Sequence, residues 1–526
     1  MRTIRDYVDR RAAETPDATY LIAPETGAVM TYGELARASR ELAEFLAARG
    51  LRKGDKVALM LHNSYQTARL LIGVMYAGYT VAPLNLLSQK SQLEYVLGHS
   101  DAVLAFTSVA LEPRLREALE SLEREVQVVV IDPDSAGALC DPLQAGPFDR
   151  GAARLAQDRP FDRGAARLAQ DRPPDVSEDD DALLMYTSGT TGVPKGVLHT
   201  HRSVVAGGVY TSSAHRLGAG DRVLCALPLY HINGQIVTTV APLVHGGSVV
   251  MPHRFSVSSY WELVAQHRCT WINVVPTIIA YLMNAPEPRE AGLDVSCVKF
   301  CRSASAPLPP ELHRAFEAKF GIGIIETFGM TETNAPCFTN PYEAPKRRIG
   351  SPGQAYGNEA KIVDPGTGVT LPAGAAGEIM VRGDNVMKAY YKDPATTATT
   401  LRADGWMRSG DLGYMDEDGF VYITGRIKEL IIKGGENIAP REIDEALLKH
   451  PAVLEAAAVG IPDAVYGQEI MACVVLKPGC ACSLEALEAH SRLELGAYKA
   501  PKVLRIVEAL PKGPSGKVQR LKLLEL

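Results

Sequence analysis

The sequence predicts an α/β protein with a small α+β domain at its end. Three observations lead there. Capped amphipathic helices alternate with short apolar strands through the first half, the texture changes after Gly410, and 46% hydrophobic against 22% charged residues is the balance of an ordinary globular chain. At about 150 residues per domain, 526 residues imply three or four folding units.

Thr31 followed by Glu34 is a capping-box pattern ahead of Leu35, Leu42 and Leu46, and Gly50 stands where that helix should stop. Lys56 to Leu61 reads as a buried strand, Tyr65 to Tyr76 as a helix and Tyr79 to Pro83 as the next strand. That is β/α alternation of parallel-sheet character.

From about Pro133 to Asp181 the pattern weakens. Phe148 to Pro160 is copied identically as Phe161 to Pro173. Solenoid repeats are longer and need three or more copies, so residues 148–173 read as a local duplication in an exposed linker. Beyond Gly410, Asp416 to Gly419 is a turn signal. Leu430 to Ile432 is an apolar run before Gly434 and Gly435, and Pro440 opens a helix that carries Ile443 and Leu447 and ends before Pro451. The expected division is therefore 1–425 and 426–526.

A formal charge of -6 offers no field for a phosphate backbone, so nucleic acid is excluded as the expected partner. The nine cysteines form neither a C-x-x-C pair nor a zinc-spaced cluster and read as reduced, mostly buried thiols. Met1 to Asp17 is charged where a signal peptide would be apolar, which points to the cytoplasm. The uncharged stretches Leu70 to Gln89 and Val223 to His253 are broken by Gly, Pro and polar residues, so no transmembrane segment is expected.

The strongest local signal is Tyr186-Thr-Ser-Gly-Thr-Thr-Gly-Val-Pro-Lys-Gly196. Thr187, Ser188, Gly189, Thr190, Thr191 and Gly192 let backbone N–H groups approach an anion, and Lys195 adds positive charge, a combination suited to polyphosphate. With no Ser or Thr after the lysine, it is not a Walker A loop. His199 and His201 follow it and read as surface or packing histidines.

This stretch resembles the phosphate-loop signature of the adenylate-forming superfamily, which includes acyl-CoA synthetases, luciferase and peptide-synthetase adenylation domains. The resemblance recurs in order along nearly the whole chain. Thr327-Phe-Gly-Met-Thr-Glu-Thr333 is similar to the family motif in which the aromatic residue packs on adenine. It implies nucleotide contacts for Thr327, Phe328 and Gly329, a phosphate contact for Thr331 and Mg²⁺ on Glu332. Phe328 stands where Tyr is usual. Ser305, Ala306 and Pro307 match a small-residue turn beside adenine. Asp411 is implied to accept the ribose hydroxyls, with Ile423 and Arg426 nearby, Lys428 at a hinge, and Lys517 in Pro514-Ser-Gly-Lys517 as the catalytic lysine. Gly434, Gly435 and Glu436 are either a tight strand connection or part of a pantetheine tunnel.

The resemblance implies a large N-terminal domain of packed mixed sheets with a β-barrel-like lobe, a mobile C-terminal domain, and ATP, Mg²⁺ and coenzyme A as cofactors. It implies conversion of a carboxylic acid to an acyl-adenylate and then to a thioester. The chemistry is sensible: a carboxylate has no good leaving group until AMP supplies one, and bringing carboxylate to phosphate needs concentrated positive charge.

Substrate choice is expected in Leu227 to Gln235, with His231 at the pocket and Asn233 beside it. The absence of Asp between Asp221 and Asp294 argues against an amino-acid substrate. Arg302 either pairs with a carboxylate on the sheet or receives an anionic group of the substrate. With Asn233, Gln235 and Asn273 it suggests a short polar or anionic acid of the oxalate, malonate or sulfoacetate type. A medium- or long-chain or aromatic acid, or a carrier-protein thiol as acceptor, remains the alternative, and assembly as a homodimer is left open.

Overall fold

A computed structural model describes residues 2–137, 174–187, 193–512 and 518–526. The tandem repeat, Cys140, Ser188 to Gly192 and Lys517 lie outside the described residues. The chain divides into two compact units. The first comprises Met1–Trp271, Thr331–Ala335 and Met387–Pro394; the second comprises Ile272–Met330, Pro336–Val386 and Ala395–Leu526.

In the first unit a seven-stranded sheet runs in the order Ala389–Tyr390, Lys195–Thr200, Asp181–Thr187, Thr80–Pro83, Lys56–Met60, Ala102–Ser108, Gln127–Ile131. The last four strands are mutually parallel and the first three antiparallel. Val57, Ala58, Leu59 and Met60 are all buried, which explains the uninterrupted apolar run: helices cover both faces of a parallel strand. The helix Tyr32–Ala48 starts at the expected capping box, with Thr31 Oγ1 accepting from Glu34 N at 3.2 Å and Glu34 Oε2 accepting from Thr31 N at 2.8 Å. Gly50 terminates it with φ of 80°, a left-handed conformation that glycine adopts without strain. The same unit holds Arg222–Leu224, Ser248–Val250 and Thr19–Ala23 as parallel neighbours, with Ala28–Thr31 antiparallel at the edge.

In the second unit Phe300–Ser303 pairs in parallel with Ile324–Met330. An antiparallel set follows: Ala335–Thr339, Gly353–Ala355, Phe420–Arg426, Met407–Met415, Gly377–Arg382 and Glu359–Val363. Residues from Ile431 onward build their own sheet on the long hairpin Val453–Asp463 and Gly467–Leu476. Ile431, Ile443, Leu447, Val474 and Leu487 close its core. The expected mixed α/β architecture with a smaller C-terminal body is what is observed.

Five of the eight described cysteines are buried, and none of the eight is in a disulfide. Among the described residues no helix is long and apolar enough to cross a membrane.

Candidate active site

The phosphate-loop signature leaves one strand and enters its antiparallel neighbour, since Thr187 and Lys195 are register partners. Lys195 Nζ lies 5.0 Å above the ring of Tyr390, whose hydroxyl donates to Glu332 Oε1 at 2.9 Å. Lys195, Tyr390 and Glu332 thus form one chain of contacts within the first unit. Tyr390 is 58 residues from Glu332 and belongs to no motif, so only the pairing of its strand with Lys195–Thr200 places it here.

The turn carrying Thr331 and Glu332 is fastened from behind by His199. That residue is fully buried, which corrects the surface alternative for it, and His201 is buried too. His199 Nε2 lies 2.8 Å from Thr331 O, an atom that can only accept, so Nε2 carries the proton. Nδ1 then accepts from Asn334 Nδ2 at 2.6 Å, while Asn334 Nδ2 also donates to Ser203 Oγ at 2.9 Å and Ser203 Oγ donates to Thr200 O at 3.1 Å. Every donor meets an acceptor with a neutral imidazole, and burial lowers the His199 pKa to about 4. Met387 N donates to Glu332 O at 2.7 Å from the other side. Asn334 and Ala335 have φ of 50° and 104°, a strained backbone for residues with a Cβ, so the network holds a turn that would otherwise relax. Gly207 is required beneath it: a Cβ there would lie 1.9 Å from Asn334 O.

The predicted pocket segment is held by Asn63, whose Nδ2 donates to Leu227 O at 2.8 Å and whose Oδ1 accepts from Leu229 N at 2.9 Å. His231 is half-buried with its ring edge-on to Tyr230, and Asn233 is buried. Asn233–Val240 is a π-helix, a rare wide turn that is frequent at functional sites. Gly234 is essential to its entry, because a Cβ would lie 2.4 Å from Pro228 O. Gln235 is fully buried, and neither its Oε1 nor its Nε2 has a hydrogen-bond partner among the described residues.

In the second unit Arg302 is 2% exposed and donates through Nη1 to Asn273 Oδ1 at 2.9 Å. Burial lowers its pKa to about 9. Ser305 takes a left-handed φ of 74°, turning the chain through Ser305, Ala306 and Pro307. Thr327 is buried, with its hydroxyl unbonded among the described residues. Phe328 is half-buried, its ring 6.0 Å from that of Phe338. The preceding Glu326 is buried, which raises its pKa to about 7 against the opposing charge of Arg441. Asp411 is buried and accepts from Arg426 Nε at 2.8 Å, so these two predicted ribose residues do meet. Ile423 offers its carbonyl to Arg441 Nη1 at 2.6 Å. Lys428 is exposed. Gly434 and Gly435, at φ of 57° and 88°, form the two-residue turn of a hairpin in which Lys433 faces Glu436. The tight-connection reading of these glycines is therefore what is seen.

An AMP-binding enzyme family model matches residues 8–391, and the model of the AMP-binding enzyme C-terminal domain matches residues 442–517. The chain belongs to the AMP-binding enzyme family. It is 54% identical over 522 residues to the sulfoacetate–CoA ligase of Cupriavidus necator, covering 99% of this chain and 97% of that one. It is 33% identical over 538 residues to a long-chain-fatty-acid–CoA ligase of Bacillus subtilis, covering 100% and 94%. The ATP-bound crystal structure of MatB from Rhodopseudomonas palustris superposes with a TM-score of 0.86 at 30% identity over 99% of this chain and 98% of that one.

As an AMP-forming acid–thiol ligase of this family, the enzyme uses ATP, Mg²⁺ and coenzyme A. The described residues fit that set. Glu332 offers a hard carboxylate steadied by Tyr390, the type of ligand Mg²⁺ takes. The unbonded hydroxyl of buried Thr327 is a polar atom left for a nucleotide group.

Proposed function

We propose that the chain joins a short dianionic acid to coenzyme A, with sulfoacetate as the leading substrate and malonate and oxalate as its chemical neighbours. The observation that carries this reading is Arg302, a guanidinium buried in the strand Phe300–Ser303 beside Asn273. An alkyl tunnel gains nothing from a buried cation and amide, whereas a sulfonate or second carboxylate accepts paired hydrogen bonds from a guanidinium. The name of the Cupriavidus necator relative agrees. The Bacillus subtilis relative, at lower identity, handles long chains, so family membership alone does not choose the acid.

In this reading the substrate carboxylate attacks the α-phosphorus of ATP and the bond to pyrophosphate breaks. The thiol of coenzyme A then attacks the acyl carbon and AMP leaves. Thr187 to Gly192 and Lys195 bind phosphates, and Thr331 contacts them. Mg²⁺ on Glu332 would offset phosphate charge. Ser305, Ala306, Pro307, Thr327, Phe328, Gly329 and Ile423 surround the base, and Asp411 with Arg426 binds the ribose. His231 and Asn233 border the acid. Lys517 supplies positive charge for the first step, and residues 426–526 turn about Lys428 to bring Gly434, Gly435 and Glu436 to the pantetheine for the second.

The test is AMP release, dependent on both ATP and coenzyme A, across a panel of acids. Sulfoacetate should give the highest kcat/KM, and Arg302→Met should raise its KM about a hundredfold while sparing a monoanionic acid. Higher kcat/KM on medium- or long-chain or aromatic acids would overturn the substrate assignment. Lys517→Ala should abolish adenylate formation yet leave thioester formation from supplied acyl-AMP, and equal loss of both would remove its assigned role. Sedimentation of the purified enzyme decides whether it is a homodimer.

A further inference from the structure

In the first unit four loops bring together side chains to which no role in the ligase reaction is assigned above. His62 follows the strand Lys56–Met60, Asp134 follows Gln127–Ile131, His253 follows Ser248–Val250, and Glu25 sits between Thr19–Ala23 and Ala28–Thr31. His253 Nε2 lies 2.7 Å from Asp134 Oδ1, and Glu25 Oε1 accepts from His253 N at 2.7 Å. The rings of His62 and His253 meet edge to face at 4.6 Å. One ligating atom from each of His62, Asp134 and His253 lies within 4.8 Å of the others.

We propose that His62, Asp134 and His253 bind a transition-metal dication of the zinc class, at a site separate from the Mg²⁺ of the ligase reaction. Two imidazoles, which are borderline ligands, beside one hard carboxylate select zinc-like ions over magnesium. With bonds of about 2.0 Å, tetrahedral ligand atoms stand roughly 3.3 Å apart, so His62 closes inward by no more than about 1.5 Å while the His253 to Asp134 contact opens slightly. A purely structural hydrogen bond accounts for His253 and Asp134 but not for His62, whose Nε2 is buried without a hydrogen-bond partner among the described residues. A metal on His253 Nε2 shifts the ring hydrogen shared with Asp134 to Nδ1, which lies 3.8 Å from Glu25 Oε1.

Occupation would tie together two other features. Asp134 lies on a loop anchored by Gln66, which bonds Pro133 O at 3.0 Å through its backbone N–H and Ser135 O at 2.5 Å through its side chain. His62 adjoins Asn63, the residue that holds Leu227 and Leu229 of the pocket segment.

The test uses the full chain stripped with a chelator and titrated with Zn²⁺ against a chromophoric competitor, with Co²⁺ absorption as a second readout. One equivalent should bind, with the intense visible band of four-coordinate cobalt. His62→Gln and Asp134→Asn should each weaken binding by about a hundredfold, with metal-free melting temperatures near that of the parent chain. Failure of the parent chain to bind one equivalent at roughly 0.1 mM zinc would overturn the site. So would unchanged affinity in both variants, or binding lost only with Cys482→Ser, which would place the metal at Cys482, whose Sγ lies 3.7 Å from His450 Nε2. If His62→Gln does not fold, Asp134→Asn and the cobalt spectrum decide the matter alone.

Discussion

The turn around Thr331 to Ala335 and the segment Leu227 to Val240 both belong to the first unit, and each centres on a buried amide. At the turn, Asn334 Nδ2 is engaged twice, by His199 and Ser203, and the network holds backbone in a conformation it would not choose. In the pocket segment, Gln235 is buried as deeply with neither amide atom bonded to a described residue. Asn334 spends both Nδ2 hydrogens on the protein and leaves only Oδ1 unbonded among the described residues, whereas Gln235 keeps both amide atoms for something else. Burying an unbonded amide costs about 1 to 3 kcal/mol, so Gln235 makes sense where a ligand completes its bonds. The contrast separates residues that shape the site from residues that read the substrate.

The strongest way to break this contrast is His199→Ala. It strips the partners from Thr331 O and Asn334 Nδ2, so the enzyme should lose about 3 kcal/mol in urea unfolding. Displacement of the turn should lower the adenylation rate about a hundredfold. A fall in stability with unchanged adenylation would show that His199 merely packs.

The same histidine sets a pH dependence. Its pKa is about 4 when folded against an ordinary value near 6.5, so the unfolded chain binds the proton first. Its contribution is complete above pH 6.5 and is lost as pH falls toward 4, a loss of about 3 kcal/mol. Urea midpoints across this window should fall, and should fall less steeply in His199→Ala. Parallel profiles would place the titration elsewhere.

Gln235→Leu should behave in the opposite manner. Removing an unbonded amide leaves stability unchanged or slightly raised, while KM for the acid should rise about tenfold with little change in KM for ATP. A large loss of stability with unchanged KM would make Gln235 a structural amide like Asn334. The smallest effect is expected from Tyr390→Phe, which deletes one hydrogen bond to Glu332 worth about 1 kcal/mol and should raise the Mg²⁺ requirement roughly fivefold. An unchanged Mg²⁺ titration would detach Tyr390 from the metal.

Much of the scaffold was legible. Thr31 and Glu34 mark a helix start because their bonds close within one turn, and Lys56 to Met60 declares a buried strand because both faces are apolar. The glycines at 434 and 435 left two readings open, and the hairpin geometry shows the connection. For His199 the surface and packing readings stood side by side, because a lone histidine after a loop has no period or spacing that reveals its depth, and its burial decides for packing.

By itself the sequence determined the family, the order of its motifs and the local elements, since capping, periodicity and short motifs depend on residues a few positions apart. Only tertiary structure decided that His199 meets Thr331 across 132 positions, that Tyr390 meets Glu332 across 58, and that His62, Asp134 and His253 share one corner. Those contacts depend on which strands pair and in what register. A shift of one residue turns a side chain to the other face of its sheet, and that choice is settled by the burial of the whole strand rather than by any neighbour in the chain.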